Sequence, residues 1–325
     1  MWGNRLGWSI SSIIALVMIT LMVMLERSGT QTSGMTPKFA AELSQYLAPF
    51  AMSPAPEAIL QNMIEDRDAS DVYREAIALY EKSPALYASF NPKTANELEA
   101  VDKIVEATNC KTMTLFSRDP GRVINFESVK PPIEALRKIG ESAANKALLL
   151  RAGKDPDGAR KYAEAAFALG AKMLNERIVY EEFDAALGIM GAASGVLIRL
   201  ANDNGDTGRA DQIKNFNDAR MKLSDKNART FDLHRITKTR DGDISATRAG
   251  DLFMLAEKSQ ERMWRVEACL QLARTHRNVG DDGRAADQRY AQSLLVKLAN
   301  DPDPAVKTAA IRARDITDPE YNRQQ

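Results

Sequence analysis

The hydrophobic pattern of the chain changes character three times. Residues 6–25 (LGWSISSIIALVMITLMVML) run for twenty positions without a charge. Twenty helical residues span about 30 Å, the hydrocarbon thickness of a bilayer, so this run predicts a membrane-spanning helix. From Pro37 onward apolar residues recur every three or four positions between short breakers, which predicts amphipathic helices over about 38–48, 56–66, 70–82 and 94–108. Leu98, Val101, Ile104 and Val105 form the clearest stripe. Between Cys110 and Val129 the texture turns to alternation: Thr112, Thr114, Phe116, then Val123, Ile124, Phe126 across an Asp119-Pro120-Gly121 turn. That pattern fits two short strands or an extended connector better than a helix.

Local chemistry sharpens the boundaries. Thr94 and Glu97 have the spacing of a capping box, in which hydroxyl and carboxylate satisfy reciprocal backbone donors. Pro54, Pro84, Pro132 and Pro304 suit first-turn positions, where a missing N–H is harmless. Arg5 before the apolar run, Glu26 and Arg27 after it, and Trp2 and Trp8 near its start suit a membrane anchor with a cytoplasmic N-terminus and an exported body. A bacterial inner-membrane anchor carrying a periplasmic body is the plain form of this; a cytosol-facing anchor in an organelle membrane is the other. A cleaved secretory signal is the competing reading of the run. Its apolar core is usually shorter, and Ser28-Gly29-Thr30 is a poor cleavage site. The small polar residues 28–36 read as a flexible tether.

An internal repeat organises the second half. Gly205-Asp-Thr-Gly-Arg-Ala210 returns seventy-five residues later as Gly280-Asp-Asp-Gly-Arg-Ala285, and Gly153-Lys-Asp-Pro-Asp-Gly158 is a looser copy. Each follows an apolar run (Ala147 to Arg151, Leu197 to Ala201, Leu270 to Ala273) and precedes another closing at Met173-Leu174, Lys222-Leu223 or Lys297-Leu298. The glycine suits a left-handed helix end and the aspartate the next N-cap, giving three helix–turn–helix units that bury their faces by stacking. The expected organisation is a membrane anchor at 1–27, a tether at 28–36, an N-terminal helical region at 37–109, an extended connector or hairpin at 110–130, a helical-repeat region at 131–316 and a tail at 317–325. The fold class is mainly all-α: a transmembrane helix, then an irregular, α-solenoid-like body with at most one short β-hairpin.

Leu272, Ala273, Gly280 and Ala285 resemble the helix-pair pattern of tetratricopeptide repeats, and Asn300 to Ile311 resembles the opening of a HEAT-type helix. The aromatic and proline positions of the former mostly depart, and the copies are not 34 residues apart. The resemblance implies binding of protein or peptide partners on a concave surface.

Composition then narrows the chemistry. Lys+Arg and Asp+Glu number 44 each in 325 residues, which excludes a strongly charged nucleic-acid or membrane-surface protein. Two cysteines, Cys110 and Cys269, exclude a disulfide scaffold and a four-cysteine metal site, while an exported body leaves one bridge between them open. His234 and His276 form no local metal motif. The acidic groups Asp203–Asp206, Asp241–Asp243 and Asp301–Asp303 lack the ligand alternation of a calcium loop and read as capped turns. The uncharged run Ala185–Ile198, with Gly191 and Gly195 four apart, reads as a core helix packed closely on a neighbour, being short for a span. A long helix over about 250–279 carries Trp264, read as a core aromatic, and basic Arg229–Arg240 reads as a solvated face or loop.

Gly140-Glu141-Ser142 resembles the Glu-Ser pair of lytic transglycosylases, without the Gly-Leu-Met-Gln that would follow in that family. No Walker loop, nucleophile elbow or dinucleotide fingerprint is present. No catalytic, cofactor-binding or metal-ligating residue is therefore assigned, and no cofactor is expected. The expected function is a membrane-anchored, non-enzymatic helical-repeat protein that binds or scaffolds envelope proteins. The bilayer is met through the N-terminal helix, and homo-oligomerisation stays open. The alternatives are a helical enzyme cutting envelope glycans through carboxylates and a lipid or small-ligand carrier.

Overall fold

The structure is a computed structural model and describes residues 52–60, 65–115, 126–236, 249–275 and 285–317. The expected anchor, tether and 38–48 helix, the Asp119-Pro120-Gly121 turn, Asp241–Asp243, His276 and the Gly280–Arg284 turn lie outside the described residues.

The protein is mainly helical. Its first described segment corrects the helix expected over 56–66. Among the described residues of that stretch one 3-10 turn forms, Pro56–Ala58, and the chain is strand β1 at Glu65–Asp68. Pro56 holds Ala55 extended, with ψ 154°, and is itself the first residue of the turn, so Pro54 lies outside a first turn. Helix α1, Ser70–Lys82, forms where expected and buries Tyr73, Ala76 and Ile77. Pro84 opens a 3-10 turn, Pro84–Tyr87.

The 94–108 helix is fragmented into 3-10 helix Pro92–Glu97, α2 at Glu99–Ile104, and 3-10 turn Val105–Ala107. Its cap is Asn91, whose side chain accepts from the Lys93 N–H at 3.0 Å, not the Thr94–Glu97 box. With Pro92 following at once, Asn91 is the better-placed cap. The stripe of Leu98, Val101 and Ile104 is nonetheless buried.

No hairpin forms over 110–130 among the described residues. Strand β2, Cys110–Thr112, pairs in parallel with β1, with Glu65 opposite Cys110 and Asp68 opposite Thr112 across an irregularity. Phe126 already belongs to helix α3, Phe126–Ala152, which runs through Pro131 and Pro132, so Pro132 is not a first-turn residue. Of the expected extended stretch, Cys110–Thr112 is a strand whose partner lies upstream, a pairing no local pattern reveals, and residues 116–125 lie outside the described residues.

Two helical hairpins follow. In the first, α3 turns into α4, Pro156–Glu176, and Asp155 caps α4 by accepting from the Gly158 N–H at 2.9 Å. The left-handed residue of this turn is Lys154 (φ 63°), not Gly153. In the second, α5, Tyr180–Asp203, turns at Gly205 (φ 71°) into α6, Thr207–Ile236, and Asp206 accepts from the Arg209 N–H at 2.9 Å. Helix α5 packs against α3, α4 and α6 and is the buried centre of the body. It is also long and apolar enough to cross a membrane, but its burial against three neighbours identifies a core helix. Of the Gly191–Gly195 pair, Gly195 approaches nothing, whereas a Cβ on Gly191 would stand 2.7 Å from the Arg220 guanidinium of α6; the close helix–helix approaches use other glycines. A Cβ on Gly170 of α4 would stand 2.6 Å from Met190 Cγ, and one on Gly140 of α3 would stand 2.8 Å from the Ile189 side chain.

A second group comprises α7, Ala249–Lys258; α8, Arg262–Thr275; α9, Ala285–Leu298; and α10, Pro304–Thr317. The long helix expected over 250–279 is thus broken at 259–261, where the Ser259 hydroxyl accepts from the Glu261 N–H at 3.1 Å. Pro304 sits at the first position of α10, with Asp303 accepting from the Ala305 N–H at 2.9 Å.

Candidate functional site

The hairpin turns frame a concavity. A cleft of about 640 Å³ opens between α4, α5 and the first turns of α6, closed on one side by the 52–60 segment. Its floor is aliphatic, formed by Leu197, Leu200 and Ala201 of α5 with Ile213 of α6, all buried. Its rim is polar, with Arg160 and Glu164 one turn apart on α4 facing Asn204 and Arg209. Arg209 holds the closing wall: its guanidinium donates to the Ile59 carbonyl and, at 2.6 Å, to the Gln212 amide oxygen. Gln212 in turn donates to the Ala58 carbonyl at 3.1 Å, and Asn175 donates to the Glu57 carboxylate at 3.3 Å. Segment 52–60 is therefore tied across the helix pair by side chains. Arg160 and Glu164 also edge a shallower depression of about 320 Å³, shared with Asp157, Lys161, Val105 and Thr108. The first turns of α4 thus carry charges of both signs, Asp157, Arg160, Lys161 and Glu164, beside the two hollows.

The joint between the two helical groups is the other polar concentration. Arg177 grips the Glu261 carboxylate with two bonds, 2.9 and 3.2 Å, while Arg262 donates to the Glu176 carbonyl at 3.1 Å and to Asp303 at 2.7 Å. Trp264 stacks on Tyr180 at 5.9 Å between ring centres. Beneath them Glu182 is fully buried; one oxygen accepts from the Ile178 N–H at 2.7 Å and the other has no partner. Burial, reinforced by the Glu176 carboxylate, raises the Glu182 pKa well above the ordinary carboxylate value. A buried carboxyl of this kind suits acid–base chemistry only where substrate reaches it, and Glu182 lines neither depression.

The residues singled out from sequence fall as follows. Cys110 and Cys269 are buried, and neither is in a disulfide. Trp264 is a core aromatic with no exposed surface. Ser142 is buried and Glu141 pairs with Lys138 at 3.7 Å, and neither lines either depression. Asp203 pairs with Arg151 at 2.6 Å and Asp206 caps α6; Asp301 pairs with Arg265 and Asp303 caps α10. These acidic groups are ion pairs and caps, and no group of three or more His, Cys, Asp or Glu among the described residues is placed to hold a metal. His234 and Arg229–Arg240 fall beyond the side chains described. Sequence reasoning passed over Arg209, Glu182 and Lys172. Lys172 alone left a signal, a single charge inside the apolar run Ala165–Leu174.

Fold and site together define a mainly helical protein with a cleft of aliphatic floor and charged rim. No family model, no curated protein and no solved structure matches the chain.

Proposed function

We propose that the protein is a membrane-anchored, non-enzymatic scaffold of the envelope whose stacked helix pairs bind another protein. The observation that carries this reading is the cleft. Its buried leucine floor suits an apolar side chain, and its rim of arginine, glutamate and amides suits the backbone and charges of a polypeptide around that anchor. The apolar 6–25 run supports an anchor, and the tether keeps the body near the bilayer. Repeated hairpins supply surface without supplying a reaction centre. The test is photo-crosslinking in cells from the full-length protein, with the photoreactive residue placed at Arg160, at Glu164, or at exposed Lys307 on α10. The expected result is one and the same adduct from positions 160 and 164, absent from 307. No adduct from the cleft, or the same adducts from all three, overturns it.

A further inference from the structure

The 52–60 segment that walls the cleft is held as a ligand is held. Among the described residues its backbone makes no ladder with the body: the Ala58, Ile59 and Leu60 N–H groups bond within the segment, to the Ala55 and Pro56 carbonyls. These bonds close the Pro56–Ala58 turn and leave the Ala58 and Ile59 carbonyls at its end without partners inside the segment. Both are served from outside. Gln212 donates to the Ala58 carbonyl at 3.1 Å and Arg209 to the Ile59 carbonyl, and these two side chains, about one turn apart on α6, bond each other at 2.6 Å. The Ile59 and Leu60 side chains are buried and line the cleft together with its aliphatic floor.

The receiving side is complete without the segment. Helix α6 carries its own cap in Asp206, and the floor belongs to α5 and α6. About 640 Å³ of the cleft stays open beside Ile59 and Leu60, so the floor extends past what the segment covers. Arg209 and Gln212 hold main-chain carbonyls, which any polypeptide offers, while the adjoining apolar space selects for aliphatic side chains. Outside the cleft the described segment has one further polar tie, from Asn175 to the Glu57 carboxylate at 3.3 Å.

Resting on the reading that the cleft binds a protein, we propose that residues 56–60 are its internal ligand, and that the partner brings the same chemistry, a helical turn ending in two aliphatic residues, and displaces them. A segment of the same chain competes at an effective concentration on the order of millimolar, so the seated segment weakens partner binding and sets a threshold for it.

The test follows the fluorescence anisotropy of a labelled synthetic peptide with the sequence of residues 54–60, Pro-Ala-Pro-Glu-Ala-Ile-Leu, added to the full-length protein in detergent. Ile59→Asp combined with Leu60→Asp unseats the internal copy and should tighten peptide binding at least about tenfold over wild type. Arg209→Met added to that protein should remove the gain, and a peptide ending in Asp-Asp should bind none of the proteins. Asn175→Ala, at an exposed position, loosens the internal copy without touching the cleft and should tighten binding about two- to tenfold, which decides the matter where the double variant does not fold. Binding that is equal in, or absent from, wild type and both loosened proteins overturns the proposal, as does binding indifferent to the peptide's aliphatic pair.

Photo-crosslinking from position 164 separates this outcome from that of the cleft reading. A partner adduct whose yield rises with Asn175→Ala supports displacement. Equal yield with and without that substitution overturns displacement and leaves the partner site standing, whereas no adduct in either protein overturns the cleft reading and displacement with it.

Discussion

Replacing Gly170 by alanine tests the packing at the centre of the body. The added methyl would sit 2.6 Å from Met190 Cγ, 2.9 Å from the Ala186 carbonyl oxygen and 3.2 Å from the Met190 nitrogen. Two of those three atoms are backbone, so no rotamer change can make room, and α4 must move away from α5. Overpacking of this kind costs about 1–3 kcal/mol. Alanine's better helix propensity returns roughly 0.5–1 kcal/mol of it. The matched control is Gly195→Ala on α5, where the methyl meets nothing within 4 Å and only the propensity gain remains. The difference between the two variants cancels propensity and isolates the packing cost at about 1–3 kcal/mol. Urea unfolding reads it directly: Gly170→Ala should lower the midpoint relative to Gly195→Ala at unchanged slope. Equal midpoints, or a greater loss at Gly195, would refute the packing of α4 on α5. The second outcome would instead favour the Gly191–Gly195 face as the helix-packing surface, as in a membrane span.

Other consequences follow from the same contacts. Glu182 binds a proton in the folded state that the unfolded chain releases near the ordinary carboxylate pKa, so its contribution is full at low pH and falls as pH rises through the raised folded value. In Glu182→Gln that decline should vanish, and urea midpoints for the two proteins that run parallel from about pH 4 to 8 would contradict it. Removing Arg177 leaves the Glu261 carboxylate, 2 % exposed, without its bidentate partner, at about 3–5 kcal/mol. Arg177→Ala with Glu261→Ala should cost clearly less than the two singles summed, and strict additivity in thermal melts would sink the pairing. Gly205→Ala forces a Cβ into a left-handed turn at φ 71° and should lose about 1–2 kcal/mol, whereas Gly188→Ala, with nothing within 4 Å, should not. Equal melting temperatures for that pair would mean the turn is built differently.

The parts legible in the sequence are those whose cause is local. Helix α1 came from its own periodicity. The turns at Gly153–Asp155 and Gly205–Asp206 came from glycine and aspartate acting within four residues, although the left-handed position in the first fell on Lys154. Ala185–Ile198 read correctly as core because its charges stop at Asp184 and resume at Arg199. Non-local pairing was invisible. Strand β2 found its partner some forty-five residues upstream in Glu65–Asp68, a segment reading EDRD with no alternation at all. The break at Ser259–Glu261 is likewise tertiary, since Glu261 leaves the helix to meet Arg177. The cleft was hidden for the same reason: Leu60, Arg160, Leu197 and Arg209 are scattered along the chain and converge only when both hairpins stack.

The central claim is that partner binding resides in the helical body, with the N-terminal run serving only to hold it at a membrane. The most direct measurement is mild in-cell crosslinking of the full-length protein beside a version whose residues 1–27 are exchanged for an anchor of unrelated sequence, with the captured proteins identified by mass spectrometry. The account predicts the same defined partner from both, lost from both when Leu197→Glu places a charge on the cleft floor. A partner that disappears with the exchanged anchor, or that survives the charge in the cleft, would contradict it.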